Sequence, residues 1–445
     1  MRIYSVEEAK ISLLKRQAFG FESVSTRTLE GIKAIFQDAL SPAEAVARIL
    51  KDVRDGGNRS VIEWNTRLDA RPNPELRVPE SEIENALKSL SASELDAMKF
   101  SIERIRAFHS RQPASSWIDQ SNGGTMGQLL RPITRVGLYV PGGTAPLPSS
   151  VLMSVVPAQV AGVKEIVICS PADRDSGRIS PVTLAATALV GVEEVYAIGG
   201  AQAIAALAYG TETIRPVDKI FGPGNIFVTL AKQQVFGAVG IDSLAGPTET
   251  VIIADDTANP EWVALDLLAQ AEHDPLASAI LLTPSSPLAD KVNAEIYRLI
   301  NGDPGFSRKT ILDQSLNDRS GIVVTGDLAE AVILSNDYAP EHLNLVVSDP
   351  WAWIPLITAA GGIFVGEHSF EVLGDYAAGP SHVMPTGGSA RYASPLNVWD
   401  FLHIISLVAL RSGDEAQEVA KASSAIARME GLDAHARSAE ARVKE

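Results

Sequence analysis

From about residue 127 onward, short apolar runs alternate with segments of helical periodicity, and this alternation restricts the chain to parallel sheet covered by helices. RPITRVGLYVPGG reads as a strand ending in a glycine–proline turn. A helix over 149–162 follows, then a strand (EIVICSP), a helix (PVTLAATALVG), a strand (EEVYAIGG), a helix (AQAIAALAYG), a short strand (KIFGPG) and a helix (NIFVTLAKQQVFG). A second series starts near 248 with the strand TETVIIAD, the helix NPEWVALDLLAQAEHD, the strand ASAILLTP and the helix PLADKVNAEIYRLIN. GIVVTGD, LAEAVILSNDYAPEH, LNLVVSD and GGIFVGEH continue it. The expected fold class is α/β.

The two flanks read differently. Residues 1 to about 112 read as helices. SPAEAVARILKDVRDGG has a Ser41 cap, Pro42 at the first helical position and acid in the opening turn, and is expected to close at Gly56-Gly57. SASELDAMKFSIERIRAFHSRQ has the i, i+3, i+4 apolar spacing of an amphipathic helix. From about 397 the chain reads as helical and charged, a tail with little core of its own that needs something to pack on, such as a second copy of the chain. At 445 residues, roughly two to four domains are expected.

Composition narrows the function. The net charge of −16 argues against a nucleic-acid or anionic-membrane partner, because both reward basic surface. The only cysteine, Cys169, can make neither an internal disulfide nor a thiolate zinc site, and it ends a strand that reads as core. The N-terminus mixes charges through its apolar positions, unlike a secretion signal, and no uncharged apolar run reaches membrane-spanning length. A cytoplasmic protein is expected.

Four separated fragments carry candidate chemistry: Gln270–Ala–Glu–His273, Glu341–His342, Gly374–Asp375–Tyr376 and Glu430–Gly–Leu–Asp–Ala–His435. Gln270 and His273 stand i, i+3 near the end of one helix, on one face, where the negative helix end favours a cation. Two imidazoles, a carboxylate and an amide oxygen would suit zinc or manganese. Taken singly, each residue reads as readily as a polar helix edge, a turn aspartate or a solvated tail histidine. Glu341-His342, fixed by Pro340 at a helix-to-strand junction, offers an acid–base pair or an ordinary surface pair. GLYVPGGTAPLPSS (137–150), GGAQAIAALAYGT (199–211) and FGPGN (221–225) are glycine-rich turns opening helices, where phosphate can bind. No GxGxxG follows a strand, so these turns alone do not establish a nucleotide site. His109, His368, His382 and His403 show no ligand spacing.

AGPTET, LLAQAEHD, NDYAPEHL, LGDYAAGPSHVMPTGG and EGLDAHA, with the three glycine-rich turns, resemble the histidinol dehydrogenase family in order and over nearly the whole chain. The resemblance implies oxidation of L-histidinol through L-histidinal to L-histidine, the last steps of histidine biosynthesis, with NAD and one zinc per subunit. It also implies a homodimer with shared active sites. The chain would comprise a helical N-terminal segment (1–30), a discontinuous α/β domain (31–138 and 255–396), an NAD-binding α/β domain (139–254) and a helical tail (397–445) reaching the partner. The two α/β domains would be incomplete and Rossmann-like.

Carried over by position, Gln270, His273, Asp375 and His435 fall on the family's zinc ligands, with His435 supplied by the second subunit. Thr248, Gln270, His273, His342, Asp375, Glu430 and His435 fall on substrate positions, and Tyr139, Gln202 and Asn225 on NAD contacts. Glu341 and His342 fall on the acid–base pair, His342 as general base and Glu341 as activator of water. The chain departs from the family at Thr248, where serine is usual, at Leu276 and Ser278, at Ser381 and at His403. Thr248 leaves open a relative oxidising another small alcohol, such as a sulfonated propanediol. A zinc hydrolase would be the competing class, and the absence of HExxH weighs against it.

Overall fold

The computed structural model describes residues 1–16, 25–69, 75–120, 124–142, 146–302, 305–410 and 413–443. Part of the 137–150 turn and of the 1–30 segment therefore lies outside the described residues. Two compact units are present, one of Met1–Arg111 and Thr134–Asn397, the other of Gln112–Ile133 and Val398–Glu445.

The larger unit is α/β with two parallel sheets. One has five strands in the spatial order Glu194–Ala197, Glu165–Ser170, Arg135–Tyr139, Lys219–Phe221, Gly240–Ile241. In chain order this is 3-2-1-4-5, so the winding reverses between Arg135–Tyr139 and Lys219–Phe221 and opens a crevice at their carboxyl ends. The second sheet has six strands, in the order Ile3–Tyr4, Gly321–Val324, Ser278–Thr283, Glu249–Ala254, His342–Val346, Gly362–Val365. Counted from Glu249 it repeats 3-2-1-4-5, with Ile3–Tyr4 added at one edge. That edge strand corrects the all-helical reading of the N-terminus: Ile3 and Tyr4 pair in parallel with Ile322 and Val323. Buried on both faces, the strands are continuous apolar runs: Val136, Leu138, Ile168, Val251, Ile252, Ile280 and Leu343 have no exposed surface.

The helix opened by Ser41 breaks at Gly56-Gly57 as expected, where Gly57 leaves helical backbone (φ +54°); what the expectation lacks is the second helical stretch that carries the run from Pro42 on to Leu68. The Glu212 carboxylate accepts the Asn58 N–H (2.7 Å) left open there, so the helix resumes. Its buried face, with Val46, Ile49, Val53, Val61 and Trp64, packs into the core of the five-stranded sheet. This helix, expected in one domain with the later strands, thus shares its core with the earlier ones.

The smaller unit is an antiparallel sheet of Trp117–Asp119, Gly124–Pro132 and Leu402–Leu410, with the helices Asp414–Met429 and Asp433–Glu440. The tail is thus not helical throughout, because the β-branched run in LHIISLVAL favours strand. Ser424 and Arg428 on the first helix both donate to the Glu440 carboxylate at the end of the second (2.7 and 2.9 Å), tying the pair together. Among the described residues no helix is long and apolar enough to cross a membrane.

Candidate active site

The carboxyl edge of the five-stranded sheet gathers the three expected nucleotide contacts. Tyr139 ends the central strand, is buried, and its hydroxyl accepts the Gly200 N–H at 3.2 Å. Burial pushes the phenol up, so it stays neutral. Gln202 is fully buried; its Nε2 donates to Asn65 Oδ1 (3.1 Å) and Asp69 Oδ2 (3.4 Å), while its Oε1 has no partner among the described residues. Asn225 caps the helix Ile226–Val235 by accepting the Phe227 and Val228 N–H groups (3.1 and 3.2 Å). The strand-to-helix turn before it lies against Tyr139: Gly222 has φ +109°, and a Cβ there would overlap the Tyr139 carbonyl oxygen. Lys232 and Asp242, a buried ion pair, hold Gly222 from both sides, Nζ donating to its carbonyl (2.9 Å) and Oδ2 accepting its N–H (2.8 Å). Sequence reasoning missed Asp69, which burial pushes up to about 6. Cys169 is buried in this sheet and burial raises its thiol, which removes it as a nucleophile.

The second cluster lies at the opposite kind of edge, where the strands Glu249–Ala254 and His342–Val346 begin. Their register sets His342 beside Thr250. Glu341 is buried, and one oxygen, Oε2, accepts the Thr248 hydroxyl (2.6 Å) and the Glu249 N–H (3.0 Å). Burial pushes this carboxyl up to about 7, although the His342 imidazole, Thr248 and the Glu249 N–H all pull it down. His342 is buried too. Its Nδ1 lies 3.3 Å from the Glu249 carbonyl oxygen, 3.7 Å from Glu341 Oε2 and 3.8 Å from Glu371 Oε1. Among the described residues its Nε2 has no partner. A carbonyl only accepts, so Nδ1 carries the proton and Nε2 presents a lone pair. Behind the pair, Gly361 and Gly362 donate to the Pro340 and Glu341 carbonyls (both 2.9 Å), and any Cβ at Gly361 would press on the Glu341 carbonyl oxygen at 2.5 Å.

Gln270, fully buried at the end of the helix Pro260–Ala271, joins this cluster through Thr248. Its amide has two orientations. In one, Nε2 donates to Thr248 Oγ1 (2.8 Å) and leaves the carbonyl facing the Glu371 carboxylate. In the other, the NH2 donates to Glu371 and the carbonyl accepts the Glu249 N–H (2.7 Å) and faces Thr248 Oγ1 (2.8 Å). The second gives the NH2 an acceptor in Glu371 and the carbonyl a donor in the Glu249 N–H and is preferred, with the single Thr248 hydroxyl proton serving either Gln270 or Glu341. Asp375 lies four residues after Glu371 on the helix Glu371–Tyr376. Burial and then the Asp375 carboxylate hold Glu371 well above the usual carboxylate range, with Asp266 adding to the effect. His382, whose Nδ1 donates to the Asp375 carbonyl (3.0 Å), is held down by burial, against the pull of Asp375 and with further lowering from His342 and His273. His273, His342, Asp375 and His382 therefore share one electrostatic neighbourhood.

Sequence reasoning passed over His382 and Glu371. Glu371 had a legible signal, its i, i+4 spacing to Asp375. His382 had none, because a turn of irregular backbone separates it from Asp375. Glu430 ends the helix Asp414–Met429 and His435 lies on Asp433–Glu440, both exposed, in the smaller unit.

The donors fit a divalent cation in type: an amide oxygen, an imidazole and a carboxylate, beside buried acids that repel one another. Among the described residues no group of three or more His, Cys, Asp or Glu is arranged to hold a metal. Of the expected set, this larger unit supplies only His273 and Asp375 of those types. The Gln270 carbonyl would reach a cation only by giving up a present bond.

The histidinol dehydrogenase family profile matches residues 36–443. A Deinococcus radiodurans histidinol dehydrogenase is 46% identical over 445 residues, covering all of both chains. One from Moorella thermoacetica is 51% identical over 404 residues, 90% of this chain and 94% of its own. The crystal structure of a histidinol dehydrogenase from Elizabethkingia anophelis superposes with a TM-score of 0.88 at 35% identity, covering 99% of this chain and 98% of that one. On these grounds the chain is an enzyme, a dehydrogenase, and belongs to the histidinol dehydrogenase family.

Proposed function

We propose that this protein oxidises L-histidinol through L-histidinal to L-histidine, consuming two NAD and one water and releasing two NADH and three protons. The observation that carries this reading is the bare Nε2 of His342, buried and oriented as a base by the Glu249 carbonyl. His342 Nε2 takes the alcohol proton in the first oxidation, in which NAD, when bound, would supply the hydride acceptor. Glu341, poised near neutrality, takes a proton from the water that adds to the aldehyde. His342, once it has released the first proton to solvent, accepts the hydrate proton in the second oxidation. Tyr139, Gln202 and Asn225 would bind the nucleotide at the carboxyl edge of the five-stranded sheet.

Gln270, His273 and Asp375, with His435 from a second copy, would hold the zinc. When bound, it supplies Lewis acidity and a fixed point that orients the substrate's imidazole and amine. Glu430 of that second copy would meet the cationic amine. The exposure of Glu430 and His435 supports a shared-site homodimer. A cytoplasmic enzyme is the corresponding proposal for location.

Thr248 favours a second reading, a small alcohol other than histidinol. Its hydroxyl is nevertheless directed to Glu341, so the added methyl is the only change from serine. A water-activating hydrolase is set aside by membership in a dehydrogenase family. The test is to count NADH formed per L-histidinol consumed, with and without a chelator. Two per substrate, abolished by chelation, is expected; none would turn the assignment to another alcohol.

A further inference from the structure

Arg16 belongs to the N-terminal segment, yet its guanidinium is largely enclosed beneath the acid–base pair (19% exposed side chain, against 8% for its partner Glu249). It forks onto Glu249, Nη1 to Oε1 and Nη2 to Oε2, the second at 2.7 Å. Nε and Nη2 also donate to the Tyr338 carbonyl (2.9 and 2.8 Å), and Nη2 reaches the Ala339 carbonyl at 3.3 Å. The guanidinium stacks over the Tyr338 ring, 3.6 Å from its centroid. One side chain thus ties two backbone elements together. The first, reached through the Glu249 side-chain carboxylate, is the Glu249 backbone, whose N–H holds Glu341 and whose carbonyl orients His342. The second is the end of the helix Leu328–Tyr338, where Ala339 adopts φ +52° immediately before Pro340, Glu341 and His342. A helix end leaves carbonyls without intrahelical partners, and alanine rarely takes a positive φ unless its surroundings impose it.

We propose that Arg16 is a positioning residue for the Glu341–His342 pair, setting the distance between the strand that holds the pair and the helix end that delivers it. The proposal rests on the acid–base reading above. A planar fork is required: an ammonium can hold a carboxylate oxygen or a carbonyl, but not both in fixed relation.

The test is a cycle of R16M, E341Q and the double variant, with R16K alongside, assayed with L-histidinal and NAD and by thermal unfolding. R16M should lower kcat about 10- to 100-fold, the range expected for displacement of a catalytic group by about 1 Å, with both KM values changed by less than about threefold. R16K should restore part of the loss. In the E341Q background, R16M should cost clearly less than it does alone, because only His342 of the pair is then left to position. An equal loss in both backgrounds would overturn the proposal. So would an R16M protein that melts earlier yet keeps its kcat well below the melting temperature. E341Q as active as the parent would instead overturn the acid–base reading, and that single variant tells the two failures apart.

Discussion

The two parallel sheets share one winding order but present opposite edges to chemistry. In the five-stranded sheet, Tyr139, the Gly222 turn and the starts of the helices Gly200–Tyr209 and Ile226–Val235 lie at the strands' carboxyl ends. In the six-stranded sheet, Thr248, Glu341 and His342 lie where strands begin, beside the ends of the helices Pro260–Ala271 and Leu328–Tyr338. In a parallel α/β unit the helices run against the strands, so strand carboxyl ends meet helix N-termini and strand starts meet helix C-termini. The first kind of edge is electropositive and suits phosphate; the second is electronegative and suits a cation or an imidazole. On the function proposed above, one topology used from both ends would sort an anionic nucleotide from a cationic substrate. In this chain only seven residues, 242–248, join the last strand of one sheet to the first of the other.

The comparison is broken most severely at the acid–base edge. His342→Ala should reduce kcat on both histidinol and histidinal by about 10²- to 10⁴-fold, the usual worth of a general base, and leave KM for NAD unchanged. Glu341→Gln should slow mainly the aldehyde step. Equal slowing of both substrates in E341Q would merge the two roles. At the other edge, Gly222→Ala places a Cβ against the Tyr139 carbonyl at a φ that alanine seldom adopts. KM for NAD should rise about tenfold, as for a loss of about 1.4 kcal/mol in binding, with the pH dependence of the aldehyde step intact. A changed pH profile in that variant would show that the edges are not separable.

The smallest effect is titration of Glu341 itself. Its carboxyl is pushed up to about 7 by burial, and its working form is the carboxylate. The aldehyde step should therefore climb as pH rises through 7 and level off above it. Steady-state rates on histidinal between about pH 6 and 8 would check this, and E341Q should lose the inflection. A flat wild-type profile would remove Glu341 as the titrating base.

Much of this architecture was legible because parallel strands buried on both faces must be apolar throughout. The helix start at Ser41 was legible from its cap. The break at Gly57 was legible from its glycine pair, but the resumption of the helix was not, because the carboxylate that accepts the Asn58 N–H comes from Glu212, far along the chain. The strand Ile3–Tyr4 was too short to show a period. At the site, Glu341 and His342 stood out as adjacent groups at a junction, whereas Glu371 and His382 acquire meaning only from what surrounds them.

The sequence by itself determined the two α/β series, their glycine turns and the types of group available for acid–base and metal chemistry, since periodicity and side-chain chemistry are local properties. Tertiary structure alone decided which sheet edge each group occupies, that the Glu249 peptide grips both members of the pair, and that burial pushes the Glu341 carboxyl up to about 7. Those outcomes depend on burial and on contacts between residues far apart along the chain, and a linear pattern carries no record of either.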